Sequence, residues 1–247
     1  MVADNLLDLS HAPYLHPFLT PKEAPPPEFR IERDLRQDGD TVWSMHCNLN
    51  SRITPLLAVL WPDSPPLIEG YFDMRWQPPS NLLMVAGAAV MDTQRQEGAA
   101  IPMAHLLTPV DEHTTHYFWS QARNRMVGIP AVDEQVRIGI NHAFEHEDEA
   151  MMAECYALMG TADLMSLKPV LLPGDGPALR TRRILARRIE AEISVERRAV
   201  QLRRSVPFPS AGPRAAKLLK AQIQPLQQLA RQWVARRVAS RDFGAQE

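Results

Sequence analysis

The chain opens on Asn5-Leu6-Leu7-Asp8-Leu9-Ser10-His11-Ala12-Pro13-Tyr14-Leu15-His16, which sets one carboxylate and two imidazoles among mostly apolar residues. Two histidines and a carboxylate that leave coordination positions open form the facial triad that holds non-haem Fe(II), so this segment is a candidate metal site. If the segment is helical, Asp8 and His11 stand at i and i+3 on one face. There the Asp8 carboxylate takes the outer N–H of the imidazole and orients it rather than binding the metal itself. His11 and His16, five apart, diverge by about 140° on a regular helix and do not converge. Pro13 lacks a backbone N–H and disfavours helical geometry at Ala12, so a broken turn is what could bring both rings inward. The plain alternative is a short surface helix with two incidental histidines.

A second acidic and histidine-rich stretch, Asn141 to Glu149, lies far along the chain. Ile140, Phe144, Met151 and Cys155 recur at helical spacing and define one apolar stripe. On a wheel centred on Phe144, Asp148 falls about 40° away, Glu147 about 60° to the other side, and Glu145 and Glu149 about 100° and 140° off. A carboxylate that faces a core is costly unless it is paired or binds a metal, which favours Asp148 as a ligand with Glu147 in reserve. His142 and His146 form an i, i+4 pair, yet both fall about 160° from Phe144 and belong to a solvated face.

These segments carry a resemblance. The run Asn5 to His16, followed in order by Asp73-Met74-Arg75-Trp76, His105-Leu106-Leu107-Thr108-Pro109, Thr115-His116-Tyr117-Phe118-Trp119, Ala122-Arg123-Asn124 and Ala143-Phe144-Glu145-His146-Glu147-Asp148, resembles the catalytic domain of Rieske non-haem iron oxygenases. The branch is that of the vanillate and dicamba O-demethylase oxygenase components, and the resemblance spans roughly residues 3 to 200. It implies iron ligands at His11, His16 and Asp148, an electron-relay carboxylate at Asp8, an asparagine near the metal at Asn5 and a substrate-lining residue at His105. For His105 a hydrogen-bonded core histidine is the commoner alternative. The resemblance also implies Fe(II) as cofactor, a homotrimer with electrons crossing between subunits, and O2-dependent demethylation or hydroxylation of an aromatic acid.

Composition bounds the rest. With 247 residues, 45% hydrophobic content and a formal charge of −2, the chain can bury a sizeable core and shows no basic excess that would suit nucleic acid. Its apolar runs are too short for a bilayer and its N-terminus lacks signal-peptide character, so a cytoplasmic location is expected. Only Cys47 and Cys155 are present, and neither is followed by histidine at Rieske spacing. A 2Fe-2S Rieske centre must therefore sit on another chain or in a missing domain, with a ferredoxin or reductase partner supplying electrons. The same gap keeps a rival reading open, a non-catalytic module that binds an apolar or aromatic ligand.

The elements that must position the site follow from local pattern. A proline-rich connector, Pro17 to Pro27, reads as extended. Strands are expected at Phe29 to Leu35, Thr41 to Leu49, Leu67 to Trp76, Leu82 to Met91, Ala100 to Thr108 and Thr114 to Arg123, with a hairpin turn at Asp38-Gly39. A long helix should run from Ala131 to Met159 and another from Pro177 to Gln201, its arginines alternating with glutamates on a solvated face. The expected fold is α+β: a helix-grip domain, residues 1–203, in which long C-terminal helices hold a curved antiparallel β-sheet. Residues 204–247 read as a linker and an amphipathic helix kinked at Pro225. The pair His113 and His116 points to opposite faces of a strand and makes a poor second metal site. Met84, Met91, Met103 and Met126 read as packing.

Overall fold

The computed structural model describes residues 1–205 apart from Glu112. Contacts divide the chain into the units Met1–Glu190 and Ala191–Glu247, and the first holds the sheet and every candidate site residue. Six strands form one antiparallel sheet in sequence order: β1 (Arg30–Asp38), β2 (Thr41–Ser51), β3 (Ile68–Gln77), β4 (Asn81–Ala89), β5 (Ala99–Pro109) and β6 (Thr115–Gln121). Each was expected from alternation and turn residues, and the β1–β2 hairpin turns at Gly39, whose φ of 55° suits glycine. The helix-grip α+β expectation holds.

Register decides what the gripping face carries. Partners directly opposite share a face, so one row across the sheet reads Val42, Trp76, Leu82, His105, Trp119 and the next Ser44, Met74, Met84, Met103, Gln121. On this face α1 (Val2–Leu7) buries Leu6 and Leu7 with Val42, Met74, Trp76 and Leu82. The Ser44 hydroxyl donates to the Leu7 carbonyl and ties that helix to β2. Toward the other end, Ile68, Ala88, Ile101 and Met103 pack with α3 (Pro55–Leu60) and with Val136 and Ile140 of α4 (Pro130–His142). The α3 helix was not anticipated, although Thr54 caps it by accepting from the Leu57 N–H and Pro55 occupies its first turn.

The expected long helix is interrupted. After α4 the segment Ala143–Asp148 is a π-helix, and α5 (Glu149–Met159) resumes regular geometry. The wider turn rotates the α5 residues about the axis, so the stripe continues through Ile140 and Phe144 but Met151 and Cys155 end up exposed, and α5 buries none of its residues. The connector after His16 is not extended throughout, because Pro17–Leu19 forms a 3-10 turn. The last described helix, α6 (Gly176–Ser205), begins where expected. Its arginines do not pair only along their own face: Arg182 forks onto Asp4 at 2.8 and 2.6 Å, and Arg187 and Arg188 both reach Asp40. The expected linker beyond Ser205 and the final amphipathic helix lie outside the described residues.

Candidate metal centre

His11 and His16 bracket a single turn. The chain leaves α1 at Asp8, whose backbone is extended (φ −86°, ψ 91°), and re-enters helix as α2 (Ala12–Leu15) with Pro13 in its first turn. His11 precedes that turn and His16 ends it with φ −115°, so the two rings are not on a regular helix and their Nε2 atoms come within 3.0 Å. The Thr20 hydroxyl donates to the Ala12 carbonyl and holds the turn closed. Behind it, Gly139 of α4 accepts the Phe18 ring so closely that a Cβ would overlap it, which brings the helix that leads to Asp148 against the histidine turn.

Asp148, the last residue of the π segment, completes the cluster. Its Oδ1 stands 3.3 Å from His16 Nε2 and 3.6 Å from His11 Nε2. Among the described residues this is the one group of three or more ligating side chains that come together, their ligand atoms within 4.8 Å of one another. His16 and Asp148 are buried and His11 is half-buried.

The outer ring nitrogens show what these groups can do. His11 Nδ1 donates to the Asp8 backbone carbonyl, and His16 Nδ1 donates to Glu147 Oε2 at 2.7 Å. With protons on both Nδ1 atoms, the neutral rings present lone pairs at Nε2, facing each other and the carboxylate oxygen. Asp148 Oδ1 is buried and has no hydrogen-bond partner. Three converging acceptors repel unless a cation lies between them, and the donor set of two imidazoles and one carboxylate fits an octahedral or open non-haem iron site. Burial opposes protonation of His16, but the neighbouring Asp148 and Glu147 carboxylates outweigh it and raise its pKa. A proton thus stabilises the same position that a metal ion would take.

The expectation for Asp8 needs correction. Its carboxylate does not take the His11 N–H, because residue 8 is outside the helix and only its carbonyl points back at the ring. The carboxylate accepts instead from the Ser10 N–H at 2.9 Å and the Ser10 hydroxyl at 2.5 Å. Together with Asn5 it lines a groove of about 470 Å³ whose apolar wall includes Met151, Cys155 and Leu158. One residue therefore touches the histidine with its backbone and an open groove with its side chain.

His105 lies in the concave face, fully buried. Its Nδ1 meets the Tyr117 hydroxyl at 2.6 Å and its Nε2 has no partner. Burial lowers its pKa to about 4, which keeps the ring neutral. Tyr117 stacks on its ring and Phe144 meets it edge-on, Trp119 meets Phe144 edge-on in turn, and the Tyr117 and Phe144 centroids are 5.4 Å apart. Burial, reinforced by the Asp148 charge, pushes the Tyr117 hydroxyl pKa up and keeps it protonated. Sequence reasoning did not reach Tyr117, since it is opposite Leu107 and meets His105 only on the diagonal of a register that local pattern does not disclose. His142 and His146 are exposed, as expected, and so are His113 and His116; His113 is bonded to the Tyr156 hydroxyl.

Comparison with known proteins identifies the family and the fold. The profile of the vanillate O-demethylase oxygenase C-terminal domain matches residues 1–191. The chain is 28% identical over 196 residues to the chloroacetanilide N-alkylformylase oxygenase component of Rhizorhabdus wittichii, covering 78% of this chain and 54% of that one. It is 24% identical over 183 residues to the dicamba O-demethylase oxygenase component of Stenotrophomonas maltophilia, covering 74% and 53%. In three dimensions it superposes on crystalline dicamba monooxygenase bound to 3,6-dichlorosalicylic acid with a TM-score of 0.67 and 24% identity, over 77% of this chain and 56% of that chain. This chain thus spans about half the length of the relatives it matches.

Proposed function

The chain belongs to the vanillate O-demethylase oxygenase C-terminal domain family, and from that premise we propose that it is the catalytic part of an iron-dependent oxygenase in which His11, His16 and Asp148 hold Fe(II). The observation that carries this reading is the convergence of three potential ligand atoms, one with no hydrogen-bond partner, on a single point. Bound there, Fe(II) would supply reductive activation of dioxygen. The substrate is an aromatic acid, and oxygen insertion into its methoxy carbon gives a hemiacetal that releases formaldehyde, so O-demethylation is the favoured outcome. A non-catalytic binding module would have no use for the converging donors.

Each of the chain's own residues has a part in that reading. His105, neutral and with Nε2 free, donates one hydrogen bond to the substrate from the concave face. Phe144 and Trp119 supply an apolar wall that excludes water beside it. Asp8 joins His11 to the groove at the surface, where electrons from a 2Fe-2S Rieske centre outside this chain's two cysteines would enter, and Asn5 flanks that entry. A homotrimer in the cytoplasm, served by a reductase, is the setting that fits. Among the described residues no helix is long and apolar enough to cross a membrane.

The test is anaerobic loading with Fe(II), followed by metal analysis and oxygen uptake. One iron per chain, lost in His11→Ala and Asp148→Ala, is expected. With an added Rieske partner, reductase and a methoxybenzoate, oxygen consumption and formaldehyde should rise together. A chain that takes up no iron refutes the reading.

A further inference from the structure

Two consecutive carboxylates embrace one imidazole. Asp148 approaches His16 at Nε2 and Glu147 approaches the same ring at Nδ1, at 3.3 and 2.7 Å. Both come from the π segment, whose wider turn carries the pair past the ring's two nitrogens. Glu147 is not one of the converging groups, so it is not a candidate ligand here, and the reserve role that the helical wheel allowed it does not apply.

We infer that Glu147 is a positioning residue that fixes the tautomer and orientation of His16, so that Nε2 always presents its lone pair to the metal; this rests on the reading of His16 as a ligand. A neutral imidazole carries one proton, and the nitrogen bearing it is set by what the other atom can accept or donate to. Left alone, His16 could place that proton on Nε2, against Asp148, and be lost as a ligand. Both carboxylates only accept, and Glu147, at 2.7 Å against 3.3 Å for Asp148, makes the closer contact, so it holds the proton on Nδ1. It is largely shielded from solvent, with 16% of its side chain exposed, and its second oxygen is 3.5 Å from His142 Nε2. His11 differs, because its Nδ1 donates to a neutral backbone carbonyl that no side-chain substitution removes. The two histidines therefore have unequal support, and the charged partner makes His16 the stronger donor.

The experiment compares the full chain with Glu147→Ala by two readouts that need no turnover. Long-range proton–nitrogen NMR of the metal-free protein at pH 8 reports the tautomer of each ring. The expected result is Nδ1–H at His16 in the wild type, a shift toward Nε2–H in Glu147→Ala, and no change at His11. Zn(II) affinity, measured by competition with a chromophoric chelator, should fall by roughly 10- to 100-fold, the usual loss when an outer carboxylate partner is removed. Glu147→Gln keeps the side-chain length should the alanine variant fail to fold, and its neutral amide should still weaken Zn(II) several-fold. Unchanged tautomer and affinity in the variant overturn the inference while leaving the ligands in place. A wild-type chain that binds no Zn(II) and no Fe(II) overturns the ligand reading as well.

Discussion

Two histidine pairs in this molecule stand in opposite relation to their spacing. His142 and His146, four apart on a helix, have the separation that usually aligns two ligands, and their rings do lie 5.2 Å apart. Yet both are exposed, and although Glu147 comes within 3.5 Å of His142, the three do not converge as a ligand group among the described residues. His11 and His16, five apart, have the worse helical spacing and still converge, because they flank the single turn α2, His11 capping its start and His16 leaving it with φ −115°, and so do not lie on a regular helix. Spacing predicts convergence only where the backbone is regular. Where it breaks, the contact made by the other ring nitrogen is the better guide, and His11 and His16 both have an acceptor there.

That contrast can be broken or sharpened by experiment. The largest effect is expected at the converging pair. His16→Ala should reduce bound iron to near zero, a loss beyond the roughly 10- to 100-fold that an outer partner costs, whereas doubly substituted His142→Ala/His146→Ala should retain one iron per chain. Equal iron in the two variants would erase the distinction.

A third kind of histidine tests burial without a metal. His46 sits on the concave face at 8% exposure, and burial, aided by the Arg33 charge, lowers its pKa to about 4 from an ordinary 6.5. Between those values the unfolded chain binds the proton and the folded chain does not. Stability should therefore fall as pH drops from about 6.5 to about 4, with His46 contributing up to about 3 kcal/mol of the loss. Denaturant melts across that range should show a flatter slope in His46→Asn, and parallel curves would count against the assignment.

Next comes the contact that sets the histidine turn against the helix. Gly139→Ala would drive a methyl group into the Phe18 ring, at a cost of about 1–3 kcal/mol in overpacking, and should weaken metal binding as α4 shifts. Restoring space with Phe18→Leu in the same chain should recover part of both, and additive losses would show that the two residues are not coupled. The smallest effect belongs to the solvated pair: His146→Ala should change stability by no more than about 0.5 kcal/mol.

Much of the positioning framework was legible locally. Alternation and turn residues located all six strands to within a few positions, since a half-buried antiparallel sheet leaves a period of two in each strand separately. The helical wheel picked Asp148 from five neighbouring acidic and histidine residues because the π segment begins only one residue before its reference, Phe144. Beyond that segment the same wheel failed at Met151 and Cys155, whose expected burial α5 does not provide.

The residue types and the order of the site were thus determined by sequence alone: two imidazoles around a proline-containing turn and an inward carboxylate on a distant helix. Tertiary structure decided which atom of Asp8 meets His11, that Tyr117 meets His105, and that Glu147 meets His16 at Nδ1 while Asp148 faces its Nε2. These are contacts between elements separated by up to 131 positions, or between a backbone carbonyl and a side chain. Local periodicity records which way a side chain faces. It does not record the group that the side chain meets there, because that is set by how the strands align and where the helices dock.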